Sequence, residues 1–151
     1  MAPEKILDYP AQALSEAARR EYFDHGFLVE RAFVPNEWVA ALRGVTEAMF
    51  EEAKSFTQSN EAFDLGPGHC PESPNVRRIR AVVDRHPLYW EFATCPLILD
   101  TVADLVGPDV KFHSGKLNNK RAGDGAPVRW HQDIQAWPHT NYSPLTLGVY
   151  L

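Results

Sequence analysis

The stretch "VRWHQDIQAWPHTNYSPLTLGVYL", residues 128–151, decides how this chain is read. It packs two histidines, an aspartate and two tryptophans into a run with strand character. Alternate side chains of a strand share a face, so His131 and Asp133 point one way and Gln132 the other. An imidazole beside a carboxylate supplies two of the three ligands of a facial triad, which grips a metal on one side and leaves the other positions open. The third ligand must then come from a distant strand. The same two side chains can also do no more than hydrogen-bond each other or solvent. Gln135 and Trp137 continue the parity of 131 and 133 and are candidate substrate-pocket residues, Trp137 reading equally well as a core aromatic. His139 follows a Trp-Pro and reads as a loop histidine near the site.

A structural zinc is the rival metal reading. It asks for three or four His, Cys or carboxylate ligands. His69 and Cys70 are adjacent, but neighbours in an extended chain point apart, and no second pair supports them. Cys70 and Cys95 lie far apart without CxxC spacing and read as free thiols of a reducing compartment. The start, "MAPEKILDYPAQALSEAARREYF", lacks the basic-then-apolar pattern of a signal peptide, and no apolar run is long enough to span a bilayer. Together these features point to a cytoplasmic protein with no membrane partner.

The bulk properties are those of a globular domain. The 151 residues are 44% hydrophobic and 23% charged, enough for one domain with a real core. The formal net charge of -5 argues against a nucleic-acid partner, since phosphate binding needs a basic surface. One local basic run, Arg77-Arg78-Ile79-Arg80, goes against that average.

Working back toward the N-terminus, Ser15 reads as the N-cap of a helix, with Glu16 in its first turn and Gly26 past its end. "FLVERAF" reads as a short extended piece. Pro35 and Asn36 open a second helix, whose Trp38, Val39, Leu42, Val45, Met49 and Phe50 recur at helical spacing. Residues 57–75 are rich in Gly, Pro, Ser and Asn and read as a long loop. "VRRIRAVV" reads as a strand. "PLYWEFATCPLILDTVADLVG" reads as a short helix and then another from Pro96, ending at Gly107. "DVKFHSGKLNNK" reads as a strand, "RAGDGAP" as a turn, and "VRWHQDIQAW" and "LTLGVYL" as two more strands. Helices early and strands late give an α+β order, with helices packed on a sheet. A last strand that stops at the final residue reads as an unfinished sheet, so residues 1–151 are expected to be the first part of a longer protein.

The run "LILDTVADLVGPDVKFHSGKLNNK", the Gly-rich turn and "WHQDIQAWPH", preceded by "YFDHGFLVERAFVPNEWVAALR", resembles the phytanoyl-CoA dioxygenase family. The resemblance covers nearly the whole chain. It implies an Fe(II)- and 2-oxoglutarate-dependent oxygenase with a double-stranded β-helix (jelly-roll) core, incomplete in this chain. It carries the iron-ligand role onto His131 and Asp133. It carries contacts with 2-oxoglutarate onto Asn118, Lys116 and Arg80, with Arg78 a rival to Arg80 on the same strand face. A dianion needs cationic or hydrogen-bonding anchors, which these residues can supply. The implied partners are a small organic substrate and O2. The family's second iron-binding histidine and its 2-oxoglutarate-binding arginine fall beyond residue 151. The readings kept beside this one are a non-catalytic jelly-roll binding module that retains the pocket without using iron, and a metal-dependent protein of other chemistry, such as a hydrolase, without 2-oxoglutarate.

Overall fold

A computed structural model describes residues 3–120, 127–133 and 144–151. The elements run α1 (Pro3–Leu7), α2 (Glu16–His25), α3 (Asn36–Ala53), β1 (Phe63–Leu65), β2 (Val76–Arg80), α4 (Val82–Arg85), α5 (Pro87–Ala93), α6 (Pro96–Val106) and β3 (Lys116–Asn118). The class is mixed α+β, with helices and a small antiparallel sheet; no closed jelly-roll barrel forms among the described residues. The chain divides into two compact units. No helix among the described residues is long and apolar enough to cross a membrane.

The first unit gathers residues 1–33, 92–112 and 130–150. Helix α2 starts where Ser15 Oγ accepts the Ala18 amide proton at 3.1 Å, and it ends at Gly26, whose φ of 79° is the left-handed conformation that glycine adopts without steric cost. Its core is Leu14, Ala18 and Leu105, with Tyr22, Leu28, Phe33, Val106 and Leu145 packed against it. Burial pushes the Tyr22 hydroxyl above its ordinary pKa.

Two buried charges knit this unit together. The Asp104 carboxylate on α6 accepts the backbone N–H of Gln12 at 2.9 and 3.1 Å, of Ala13 at 2.9 Å and of Leu14 at 2.8 Å. Arg19 on α2, fully buried, donates to the Asp104 backbone carbonyl, to the Tyr9 and Ile6 carbonyls, and to Glu16 Oε1. All three guanidinium nitrogens donate, and three of the four acceptors are backbone carbonyls. The α1–α2 connection is thereby fixed onto α6.

The second unit gathers residues 34–91 and 113–129 with Leu151. Leu42, Thr46, Met49 and Ala53 form the buried stripe of α3 at helical spacing; of the apolar residues expected there, Leu42 and Met49 are buried, Trp38, Val39, Val45 and Phe50 are half-buried, and Thr46 and Ala53 join the stripe unannounced. Thr46 Oγ1 lies 2.7 Å from the Tyr89 hydroxyl of α5, and burial pushes that phenol above its ordinary pKa. The sheet order is β1-β2-β3. Phe63 pairs with Ile79 and Asp64 with Arg78; across the other edge of β2, Arg78 pairs with Asn118, Ile79 with Leu117 and Arg80 with Lys116. Phe63 and Ile79 are fully buried. A register shift between Asp64 and Leu65 brings Val76, out of strict alternation, into the core as well.

Several expectations change. Strand β1 lies inside the stretch read as a loop, because three residues of "FDL" become a strand only when β2 is there to pair with them. Strand β2 stops at Arg80, since Ala81 takes φ 50° and turns the chain into α4. Only Lys116–Asn118 of "DVKFHSGKLNNK" is strand. "FLVERAF" forms no ladder; Phe27 and Val29 are exposed while Leu28 and Phe33 pack on the core. Of the two late stretches expected to be strands, 128–137 and 145–151, the described residues form no named strand, and Val128, Trp130 and Tyr150 are exposed; residues 134–137 lie outside the described residues. A strand is defined by its neighbour's ladder of hydrogen bonds, so strand-like composition alone does not make one. The "RAGDGAP" turn lies largely outside the described residues.

Candidate functional site

His131 and Asp133 meet. His131 Nε2 lies 3.1 Å from Asp133 Oδ1, with the two side chains 54% and 36% exposed. Asp133 opens a helical turn rather than continuing a strand, so the two side chains meet through a local bend of the chain. The other carboxylate oxygen, Oδ2, accepts a hydrogen bond from Thr146 Oγ1 at 3.0 Å. The chain holds Thr146 near the pair because its neighbour Leu145 is packed against Leu14, Ala18 and Leu105. Thr146 carries no sequence signal: it is one hydroxyl in a run expected to be a strand.

The pair fits a small divalent metal. A cation about 2.1 Å from each of two donors at a right angle puts those donors about 3.0 Å apart. The observed 3.1 Å equals that edge and equally the length of a direct imidazole–carboxylate hydrogen bond, and both side chains are open enough for a metal to reach them from solvent. Imidazole plus carboxylate is also the donor mixture suited to iron. Among the described residues no cluster of three or more His, Cys, Asp or Glu side chains forms. Gln135, Trp137 and His139 lie outside the described residues.

The residues read as 2-oxoglutarate contacts gather on one face of the small sheet. Directly opposed residues of antiparallel strands share a face, so Asp64, Arg78, Arg80, Lys116 and Asn118 stand together. Three cations there face a single carboxylate. Arg80 is committed locally: Nη1 donates to the Asn60 carbonyl at 2.8 Å, and Nη2 lies 3.9 Å from Asp64 Oδ2. Arg78, the rival, is the one that meets Asn118, donating from Nε to Oδ1 at 3.0 Å. A guanidinium has only donors, so that contact turns the Asn118 amide NH2 away from Arg78, where it can donate to an anion.

His69 is unavailable as a zinc ligand. Its Nδ1 accepts the Asn75 amide proton at 2.9 Å, and its Nε2 faces the Ala53 carbonyl at 3.2 Å. That pattern fixes the neutral tautomer with the proton on Nε2 and ties the 66–75 turn to the end of α3. Cys70 and Cys95 are free thiols.

The sequence comparisons agree with the resemblance. Residues 22–151 match "Phytanoyl-CoA dioxygenase (PhyH)". The chain belongs to the phytanoyl-CoA dioxygenase family. It is 30% identical over 137 residues to a Stutzerimonas stutzeri protein described as "Probable alpha-ketoglutarate-dependent hypophosphite dioxygenase", covering 88% of this chain and 46% of that protein. It is 28% identical over 127 residues to an ectoine dioxygenase of Bordetella parapertussis, covering 84% of this chain and 39% of the relative. A shorter match, 28% over 67 residues, joins it to an ectoine dioxygenase of Sphingopyxis alaskensis, covering 44% of this chain and 22% of the relative. The chain therefore spans less than half the length of these relatives. No solved structure matches it significantly.

Proposed function

We propose that the protein is an Fe(II)- and 2-oxoglutarate-dependent dioxygenase that hydroxylates an unactivated C–H bond of a small organic substrate. The observation that carries the proposal is the approach of His131 Nε2 and Asp133 Oδ1 to 3.1 Å in a chain of this family. His131 and Asp133 would hold the iron. When bound, the iron supplies oxygen activation, in which 2-oxoglutarate, O2 and R–H become succinate, CO2 and R–OH.

The residues of the chain have separate tasks. His131 offers a neutral imidazole nitrogen, and Asp133 a carboxylate that offsets part of the metal's charge. Asn118, Lys116 and Arg80 bind the cosubstrate: cations favour its carboxylates, and the Asn118 amide hydrogens add directional donors. Gln135 and Trp137 line the substrate pocket. In this reading residues 1–151 form a single domain, the N-terminal portion of a jelly roll, and the protein acts in the cytoplasm.

The relatives are named for different substrates, hypophosphite and ectoine, so both belong on a test panel. The experiment incubates the full-length protein with Fe(II), 2-oxoglutarate and isotopically labelled O2. The expected outcome is one labelled oxygen atom in succinate and one in a product. Absence of 2-oxoglutarate turnover with every substrate, despite tight substrate binding, would favour the non-catalytic binding module instead.

A further inference from the structure

We infer that Thr146 is a positioning residue that keeps Asp133 a one-oxygen ligand. The inference rests on the metal-site reading above and adds to it a residue outside the HxD motif. A carboxylate only accepts hydrogen bonds, so the 3.0 Å contact is Thr146 Oγ1–H donating to Asp133 Oδ2. That bond occupies the oxygen turned away from His131. It leaves Oδ1, at 3.1 Å from His131 Nε2, as the oxygen presented beside the imidazole.

The distinction matters for coordination. A facial triad with a one-oxygen carboxylate uses three of six positions around the metal. Three remain, two for a chelating keto acid and one for O2. A carboxylate binding through both oxygens takes a fourth position and leaves too few for the two cosubstrates. Holding Oδ2 with a hydroxyl therefore selects the coordination number the reaction needs. The anchor is also firm: Leu145, the residue before Thr146, packs against Leu14, Ala18 and Leu105, so the hydroxyl is delivered from a fixed point of the first unit. Partners that orient ligand side chains typically matter at the level of about 10- to 100-fold in metal affinity or activity.

The test is an anaerobic titration of the full-length protein with Co(II), followed by its visible absorption. Thr146→Val removes the hydroxyl and keeps the shape; Thr146→Ser keeps the hydroxyl. Thr146 is exposed, so neither change threatens folding, and thermal melts check this. Thr146→Val is expected to bind Co(II) about 10-fold more weakly, with an altered ligand-field spectrum, and Thr146→Ser to stay within about twofold of native. Native affinity and an unchanged spectrum in Thr146→Val would overturn the inference. His131→Ala and Asp133→Ala run in parallel separate the two levels. If they lose Co(II) while Thr146→Val does not, the role of Thr146 alone is wrong. If they too bind as native, the metal site itself is wrong and the inference falls with it.

Discussion

Asp104→Asn is the sharpest perturbation of the framework. The carboxylate takes four N–H contacts from three consecutive residues, Gln12, Ala13 and Leu14, at 2.8 to 3.1 Å. Asparagine is nearly the same shape but offers one acceptor oxygen. Its best orientation puts that oxygen in the place of Oδ2, toward Gln12, Ala13 and Leu14, and its NH2 in the place of Oδ1, donor against donor with the closer Gln12 N–H contact. Hydrogen bonds to a charged group contribute about 1.5–3 kcal/mol, and a buried donor left unsatisfied costs about 1–3 kcal/mol. Since three contacts survive in weakened, uncharged form, the net loss is about 2–3 kcal/mol. For a chain of this size that corresponds to a melting point lower by about 5–15 °C. Urea and thermal unfolding followed by far-UV circular dichroism measure it. Asp100→Asn, on the same helix but making none of these contacts, is the control. A loss below about 0.5 kcal/mol in Asp104→Asn, the range of ordinary surface changes, would refute the reasoning.

Three other outcomes follow from the geometry. A Cβ on Gly66 would sit 2.5 to 2.8 Å from the carboxamide atoms of Asn75, which is buried and held by Pro67 and His69, so Gly66→Ala is expected to cost about 1–3 kcal/mol in the same unfolding assay. Asn118→Ala is expected to raise the KM for 2-oxoglutarate about 10-fold, the loss of one charge-assisted contact, and Arg78→Ala to raise it less, by releasing the Asn118 amide it orients, while Arg43→Ala on the exposed side of α3 leaves it unchanged. Burial raises the Tyr22 and Tyr89 pKa values, so folding favours the protonated phenols; this stability is complete below the ordinary value of about 10 and is lost as pH rises through the raised folded values. Alkaline melting curves should therefore fall above about pH 10, and fall less steeply in Tyr22→Phe/Tyr89→Phe.

What was legible in the sequence is local. Ser15 and Gly26 bracket α2, Pro96 and Gly107 bracket α6, and the apolar stripe of α3 needs only its own 3.6-residue period. The nearness of His131 and Asp133 was legible because they are two residues apart, although the contact is made at a helical turn and not on a strand. What was not legible depends on distant partners. Arg19 and Asp104 stand 85 residues apart, and each alone looks like a solvated helix charge. Strand β1 is too short to show a period and exists through its pairing with β2. Residues 128–133 and 145–151 have strand composition, yet no named strand forms there among the described residues, because composition alone does not set a ladder. The choice of Arg78 over Arg80 as the partner of Asn118 required the register of β2 against β3.

The central claim is that His131 and Asp133 hold the iron of a 2-oxoglutarate-dependent reaction. The measurement that meets it most directly is succinate release by the full-length protein with Fe(II), 2-oxoglutarate and O2, native against His131→Ala and Asp133→Ala. Loss of turnover by at least about 100-fold in both variants, each folded by circular dichroism, is the result expected when a metal ligand is removed. Unchanged succinate release in either variant would contradict it.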